Sequence, residues 1–478
     1  MTQQGVRWTV DQVLALAPDA SSRRAGSKLG VAGPWSETGS GEGAVWGLCK
    51  GSGNKPYQTL IDITCVTGNT GIAGVTAAAG PADGAGPVTG AGPVDGAGPA
   101  YKCSCPSRKF PCKHALGLLL LWAGADGTVP DGEPPEWAEE WLSSRRKRAE
   151  DKRSSQAAPP ASADPEAARR RAEKRAERIT AGVTELEQRL SDLLRSGTAS
   201  AEQAGYALWE ETAARMVDAQ APGLAARVRE LGSIPSSGPG WPVRLLEECA
   251  LLHLLDQGWL HRDALPSGLA ATVRSRVGLP ARPEGPPLRD RWLVLAQYDT
   301  ADSKLTTRRV WLYGTDSGRT ALLLSYGAAG RAPALALPVG LALDAELTGY
   351  PGARQLRADL GEQFGAPAPT AERPPGVRTD EAAACYGEAL RHDPWLESWP
   401  VTLREVIPAQ ADGGWQLVDA GGGSALPVTP AAASGPGLWR LVALSGGAPL
   451  TVFGECGHQG FTPLTAWPRD AEETVPLC

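Results

Sequence analysis

Residues 103–114 of this chain place three cysteines and one histidine within twelve positions. The order is Cys103-x-Cys105, six further residues, and Cys112-x-His114. Three thiolates and an imidazole form a closed tetrahedral Zn²⁺ shell, which leaves no position for a substrate or an activated water. The sequence therefore predicts one zinc ion with a structural role. The alternative is a chance cluster of buried thiols, because free cysteine also packs as a small apolar side chain.

The spacing within each ligand pair restricts the local backbone. Side chains two residues apart point to opposite faces of a strand and lie about 200° apart around a helix, so neither pair can chelate from regular structure. Pro106 and Pro111 fix φ beside the ligands and favour turns and a helix start. The apolar run 115–122 follows directly, and Gly124 offers a stop. We expect a strand pair that feeds a short helix, with the metal at the joint.

The wording of this segment, CSCPSRKFPCKHALG over residues 103–117, resembles the bacterial stand-alone SWIM zinc finger family, and the four ligands match residue for residue. The resemblance implies a ββα zinc module that binds DNA or other proteins. It also implies an ATPase partner, because stand-alone members are often encoded beside MoxR-type AAA ATPases. Arg108, Lys109 and Lys113 lie between and beside the ligands. These three are candidates for contacts to phosphates or to a partner, and solvated side chains that steady the zinc loop are the alternative.

The charge of the chain limits how it could bind nucleic acid. A net charge of −6 and a pI near 5.6 argue against coating DNA by bulk charge, so any contact must be local. One segment of the chain, residues 145–178, is clearly basic, with twelve Lys and Arg against six Asp and Glu. It begins with Arg145, Arg146, Lys147 and Arg148, which are further candidates for phosphate or partner contacts. A solvated helix with i,i+4 ion pairs is the alternative.

Pattern and composition divide the chain into three parts, which together predict a multidomain α+β protein. Residues 1–150 are expected to form a small α+β domain that carries the zinc module at about 101–124. Its hairpin strands are predicted at Ala44–Lys50 and Tyr57–Cys65. Residues 84–100 repeat a Gly-Ala-Gly-Pro unit that lacks the large apolar side chains needed by a β-helix. The longer segment of about 68–100 is therefore expected to be a disordered insertion.

The second part, residues 163–280, is predicted to be helical. Ile179, Val183 and Leu186 begin a series of apolar residues at three- and four-residue spacing, and the pattern continues over about five helices. His253 within this part is predicted to be a core or rim residue and not a metal ligand.

The third part, residues 290–478, is predicted to be β-rich, as a barrel or sandwich of seven or eight strands with one helix near 381–391. Its aromatic residues are expected to fill a core, because basic residues do not alternate with them as they do on a base-stacking surface. The predicted strands are Trp292–Tyr298, Arg308–Tyr313, Thr320–Tyr326, Trp399–Ile407, Trp415–Val418, Leu438–Leu444, Leu450–Phe453 and Phe461–Leu464.

Motifs for known chemistries are missing from the sequence. It has no phosphate-binding P-loop, no zinc-protease helix motif and no nucleophile elbow, and Cys456-Gly-His458 has no second ligand pair nearby. We therefore expect a protein that is not an enzyme and has no small-molecule substrate. Without a secretion signal or a long apolar run, we expect it in the cytoplasm and off the membrane.

Two functions fit these observations. The first is a zinc-stabilised interaction or adaptor subunit that binds a protein partner, such as an AAA ATPase. The alternative is a DNA-binding protein that uses the zinc module and the adjacent basic helix.

Overall fold

The computed structural model describes residues 7–51, 55–64, 99–107, 109–124, 128–157, 164–301, 305–328, 333–469 and 473–478. The predicted disordered insertion lies outside these ranges except for its last two residues. Arg108 and the side chain of Arg148 also lie outside them. Among the helices in these ranges, none combines the length and apolar character needed to cross a bilayer.

The N-terminal part is a four-stranded antiparallel sheet with helices on both faces, and its strands pair in chain order. Side chains alternate across the sheet. Val45 and Ile61 therefore pack against one helix, α3, while Trp46 and Leu60 pack against another, α4. The elements are α1 (Val10–Leu14), α2 (Ala20–Ser27), β1 (Trp35–Gly41), β2 (Ala44–Cys49), β3 (Tyr57–Asp62), β4 (Ala100–Cys103), α3 (Lys113–Ala123) and α4 (Glu136–Ala157).

Helix α3 is apolar on every side, so it must be covered on every side. Leu116, Leu118 and Leu119 are each 0 % exposed. Helix α2 approaches closely because a glycine faces it: a Cβ on Gly117 would lie 2.5 Å from the Cβ of Leu29, just beyond α2. The helix that carries the last zinc ligands is thus fixed from several directions.

Five helices follow in the middle of the chain. One apolar residue per turn of the first of them, including Ile179, Val183 and Leu186, lies in a shared core. The spacing seen in the sequence is therefore the buried face of that helix. The five are α5 (Pro165–Ser196), α6 (Ala199–Asp218), α7 (Pro222–Leu231), α8 (Trp241–Leu260) and α9 (Ser267–Val277).

The C-terminal part contains two six-stranded antiparallel sheets. The first has the order β10-β8-β5-β6-β7, with β9 also paired to β8, and the second has the order β13-β12-β11-β14-β15-β16. The elements are β5 (Leu288–Ala301), β6 (Leu305–Gly314), β7 (Thr320–Ala328), β8 (Leu341–Gly349), β9 (Ala358–Gln363), β10 (Ala368–Pro369), α10 (Thr379–His392), β11 (Ser398–Ala411), β12 (Gly414–Asp419), β13 (Ala425–Pro427), α11 (Pro430–Ala433), α12 (Pro436–Ser445), β14 (Leu450–Gly457), β15 (Gly460–Trp467) and β16 (Val475–Pro476).

The strand of each sheet that comes first in the chain is long and pairs with two neighbouring strands. The first half of β5, Leu288–Leu293, pairs with β8, and its later residues pair with β6. In the same way Ser398–Leu403 of β11 pairs with β14, and the residues from Val406 onwards pair with β12. The register shifts between these two halves of β11, where Glu405 has a φ of +50°. Each long strand therefore bends its sheet.

Each sheet also curls back on itself. Leu322 of β7 forms a parallel bridge with Arg357 beside β9, and Val428 beside β13 forms one with Phe461 of β15. In each set of five strands, β5–β9 and β11–β15, the third strand thus pairs with the fifth. We refer to β5–β9 as barrel 1 and to β11–β15 as barrel 2.

One predicted strand is wrong. Residues Leu438–Leu444 belong to helix α12, because Pro436 sits in its first turn and Gly446, with a φ of +50°, ends it in the left-handed conformation that glycine favours. Leu438 and Leu441 lie one turn apart and are buried. A short apolar run fits either period, and here the flanking residues decide. The strand number was also too low, since twelve strands lie in the described part of residues 288–478.

Barrel 1 packs against both the zinc-bearing domain and barrel 2. Its core is continuous with that of the N-terminal sheet and α3, and Trp8 Nε1 donates to the carbonyl of Pro367 at 3.2 Å. The outward side chains of β5 and β6 meet barrel 2, where the ring of Trp311 lies edge-on to Phe453 at 6.3 Å. Barrel 1 is therefore the centre of this part of the fold.

Candidate metal centre

The four predicted ligands come from three local structures. Cys103 ends strand β4, and Cys105 lies in the turn that follows. Cys112 is the residue before the first turn of α3, with extended backbone (φ −74°, ψ 168°), and His114 lies within that turn. The strand end and the helix start provide the breaks in regular structure that the two-residue spacings require.

The ligand atoms of these residues are close enough to share one ion. They all lie within 4.8 Å of one another, and Cys103 Sγ is 3.7 Å from His114 Nδ1. Ligands about 2.3 Å from a tetrahedral zinc are about 3.8 Å apart. Each of the four residues is at most 5 % exposed. The cluster therefore fits one structural zinc ion.

The sulfur atoms also need a cation for electrostatic reasons. Hydrogen bonds with Cys103 and Cys112 lower the pKa of Cys105 well below its usual value. The contact with Cys105 raises the pKa of Cys103, as do Cys112 and burial. Without an ion, one thiolate is thus stabilised at the expense of its neighbour. A bound Zn²⁺ supplies the positive charge with which all three thiols can ionise.

Two residues of β3 support the ligands, and sequence reasoning had not identified either of them. Thr59 Oγ1 lies 3.4 Å from Cys103 Sγ, and the ring of Tyr57 stacks on His114 with centroids 4.8 Å apart. Such outer contacts orient metal ligands. The pairing of Thr59 with Cys103 across β3 and β4 brings them together. This pairing joins segments on either side of the insertion, so local sequence gave no signal for it.

A groove of about 530 Å³ runs beside the metal centre, and we call it the zinc groove. Lys50, Lys109 and Lys113 line it. Lys109 Nζ contacts Asp19 Oδ2 at 2.6 Å, and this contact lowers the pKa of Asp19. Lys50 and Lys113 form no ion pair with any residue that the structure describes. Among the described residues, the three lysines outnumber Asp19 and the net −1 charge that Zn²⁺ with three thiolates carries, so the groove keeps a net positive charge.

The other lining residues of the zinc groove that the structure describes are polar side chains, parts of the zinc loop and α2, and three ligands. These are Ser21, Ser22, Ala25, Leu29, Gly51, Tyr57, Cys105, Pro106, Ser107, Cys112 and His114. The groove thus joins the metal loop to the start of α2.

The basic residues at the middle of α4 have different surroundings. Arg145 Nε contacts Asp62 Oδ2 at 3.1 Å, and the two side chains are only 7 % and 5 % exposed. This buried pair makes Arg145 unavailable to a phosphate or a partner. Arg145 is therefore not a contact residue, contrary to the prediction. Arg146 is exposed and pairs with Glu139 at 3.2 Å. Lys147 is exposed as well.

The zinc loop and the basic residues of α4 do not form one surface. Helix α3 covers one face of the N-terminal sheet and α4 the other. The zinc loop and the basic residues of α4 also lie at opposite ends of β3, since His114 contacts Tyr57 and Arg145 contacts Asp62. At about 3.3 Å per strand residue, these ends are roughly 17 Å apart.

The structure also describes Cys456, His458 and His253, the other residues considered as metal ligands. Cys456 is buried in β14 and His458 is exposed in the following turn, and no metal-ligand cluster among the described residues includes either one. His253 lies at the rim of the helical part, where its Nδ1 is 2.7 Å from Glu187 Oε2. The prediction that His253 is a core or rim residue is confirmed.

Comparisons with known proteins identify two segments of the chain. A family model described as the SWIM zinc finger matches residues 94–123. A second, described as the SWIM-associated four-helix bundle domain, matches residues 174–277. No curated protein and no solved structure matches the chain. The first match contains all four ligands, and the second spans most of the helical part.

Proposed function

Since this chain carries a SWIM zinc finger together with the SWIM-associated helical bundle, we propose that it is a zinc-stabilised interaction protein without enzymatic activity. In this proposal the zinc groove binds an acidic segment of a partner protein. The observation that carries it is the pair of lysines, Lys50 and Lys113, whose charges are unmatched among the described residues of the groove. A partner carboxylate would supply the missing charge.

The closed ligand set supports a structural zinc. Catalytic zinc sites keep one position open for water or substrate, whereas here three cysteines and a histidine fill a tetrahedral shell. The ion would hold the zinc loop and α3 together and so shape the groove. Its contribution to binding is then indirect.

The partner we propose is a MoxR-type AAA ATPase, which the family resemblance implies. DNA binding by the zinc module and α4 together has less support. Lys109 and Lys113 lie at one end of the sheet and Arg146 at the other, and Lys109 is already paired with Asp19. A duplex carries one charge per about 1.7 Å, so a DNA-binding surface needs a continuous basic track.

The test is isothermal titration of the full-length zinc-loaded protein with a purified MoxR-type ATPase from the same organism. Three proteins are compared: the parent, the groove variant Lys50→Glu/Lys113→Glu, and the control Lys174→Glu/Arg440→Glu. The control has the same charge change at exposed positions on α5 and α12. We expect the groove variant to bind at least about tenfold more weakly, and the control to bind like the parent.

Other outcomes decide against the proposal. If the control loses as much affinity as the groove variant, bulk charge and not the groove explains binding. If the parent does not bind the ATPase but shifts duplex DNA in a gel, and the groove variant weakens that shift, the DNA-binding alternative replaces this one.

A further inference from the structure

The two barrels share the connectivity of a known ligand-binding fold. In each, a bent first strand pairs with the second and the fourth, and the third meets the fifth in parallel. Five strands connected in this way form the OB-fold, a small Greek-key barrel. In barrel 2 the helices α11 and α12 stand between the third and fourth strands, where OB-folds commonly carry a helix. The C-terminal half is thus a tandem pair of OB-type barrels.

OB-folds bind oligonucleotides and oligosaccharides with the face of the second and third strands and with the loops between strands 1 and 2 and between strands 4 and 5. In barrel 1 this face is unavailable, because Trp311 and Leu322 pack against Phe453 and Trp467 of barrel 2. Trp311 Nε1 also donates to Glu455 Oε1 at 2.9 Å. The loop between the fourth and fifth strands, residues 350–357, packs on helix α9, where Ala353 N donates to Thr272 Oγ1 at 3.0 Å, and Arg354 and Gln355 in this loop are exposed.

That loop forms one wall of a cleft of about 660 Å³, which we call the barrel cleft. The floor is apolar and belongs to the interior of the barrel, with Trp292, Ala321 and Leu347 among its residues. The volume lies within the range of about 300–1,000 Å³ that is usual for ligand sites, and barrel mouths are a common place for them. The position therefore suits a ligand with a flat apolar part.

The rim of the barrel cleft is basic. Arg319, Arg354 and Arg357 line it, and Glu284 is the one acidic residue among the described lining residues. The Arg319 side chain forms no ion pair with any described residue, and Arg354 forms a long, partly exposed ion pair with Glu388 at 3.6 Å. Three guanidinium groups around an apolar floor favour an anionic ligand over a neutral sugar.

One of these arginines is held in place by an aromatic ring. The guanidinium of Arg357 lies over Tyr350, 4.0 Å from the ring centroid, and donates to the Tyr350 hydroxyl at 3.2 Å. That hydroxyl in turn donates to Asp359 Oδ1 at 2.9 Å. A flat guanidinium fixed in this way can stack on a nucleobase.

Barrel 2 offers an internal comparison. Its fourth strand ends at Gly457 and its fifth begins at Gly460, so the corresponding loop has only two residues. Barrel 1 uses eight residues, 350–357, for the same connection. The longer connection supplies Tyr350, Arg354 and Arg357, the groups that give the barrel cleft its rim.

We infer that the barrel cleft binds single-stranded nucleic acid, with Arg319 and Arg354 contacting phosphates and a base stacking near Arg357. The inference does not rest on the proposed role of the zinc groove, which lies on a different domain. A free nucleotide shares the same chemistry of base and phosphate, and the experiment separates the two sources.

The experiment measures fluorescence anisotropy of labelled single-stranded DNA and RNA of about 12 nucleotides with the full-length zinc-loaded protein, at several salt concentrations. The cleft variant is Arg319→Gln/Arg354→Gln. The matched control is Arg195→Gln/Arg440→Gln, which removes two exposed arginines outside the cleft. Thermal unfolding of each variant checks that it is folded.

We expect the cleft variant to bind at least about tenfold more weakly. Its log–log salt slope should be shallower by about 1.4, because each phosphate contact to a single strand contributes about 0.7. The control should match the parent. If the cleft variant binds the oligonucleotides as tightly as the parent, the inference is overturned.

Two further outcomes also overturn it. If Lys109→Glu/Lys113→Glu abolishes binding while the cleft variant does not, the zinc loop is the nucleic-acid site. If the parent binds no oligonucleotide but binds adenosine monophosphate, and the cleft variant does not, the cleft is a site for free nucleotides and not for a strand.

Discussion

Replacing Asp256 with asparagine should stabilise the helical bundle, and should do so more strongly at alkaline pH than at acidic pH. Asp256 lies on α8 and is 0 % exposed, and neither of its carboxyl oxygens accepts a hydrogen bond from any residue that the structure describes. Burial raises its pKa from 3.8 to about 9, and the charge of Glu187 adds to this. At pH 7 the folded protein therefore keeps a proton on Asp256 that the unfolded chain has released.

The size of the effect follows from the two pKa values. The contribution of Asp256 to stability is fully present below pH 3.8 and is lost as pH rises towards about 9. The loss is about 1.4 kcal/mol per pH unit, or about 4 kcal/mol between pH 5.5 and pH 8.5. Asparagine does not titrate. The free energy of unfolding of Asp256→Asn, relative to the parent, should therefore increase by up to that amount across this interval.

Differential scanning calorimetry of the full chain at pH 5.5 and pH 8.5 measures this difference. The variant Asp192→Asn is the control, because Asp192 lies on α5 with a side chain that is 74 % exposed. For a unit of about 100 residues, 1 kcal/mol shifts Tm by about 4–8 °C, so a change of about 4 kcal/mol should increase the advantage of Asp256→Asn by roughly 16 °C or more. An advantage of equal size at both pH values would refute the reasoning, since the carboxyl would then be charged in the folded state.

Three further substitutions test other parts of the structure. Cys112→Ser should lose zinc and unfold the N-terminal domain, at a cost of several kcal/mol. Metal analysis and thermal unfolding measure these effects, and a variant that unfolds at the parental temperature would contradict the prediction. Arg145→Ala should cost about 3–5 kcal/mol in urea unfolding because it leaves Asp62 buried without its partner, whereas exposed Arg146→Ala should change stability by less than about 0.5 kcal/mol. Gly454→Ala places a Cβ 2.2 Å from a carbonyl oxygen of β15 and should lower Tm, with a cost of about 1–3 kcal/mol.

The metal site could be predicted from the sequence because its information is local. All four ligands fall between Cys103 and His114, and the ligand spacing alone requires breaks in regular structure. The helical middle part was equally accessible, since one buried residue per turn, such as Ile179 and Val183, is a periodic signal. Both predictions needed only the identity and spacing of neighbouring residues.

The features that escaped prediction depend on distant pairing. The barrels are closed by single bridges such as that between Leu322 and Arg357, which no short window of sequence contains. In the basic run on α4, the sequence cannot distinguish Arg145 from Arg146, although a carboxylate on β3 buries one and leaves the other in solvent. The strand predicted at Leu438–Leu444 failed because a short run with six apolar residues among seven fits both the helical and the strand period.

The shared core of the zinc module and barrel 1 has a consequence during synthesis of the chain. Trp8 and Pro367, which are joined by a hydrogen bond, are separated by 359 residues. Ribosomes add about 5–20 residues per second, so roughly 20–70 s pass between the emergence of these two residues. During that interval the zinc module exists without the barrel surface that completes its core. Its apolar side chains must stay protected from aggregation for that time, and early zinc loading is one means of keeping the half-built domain ordered.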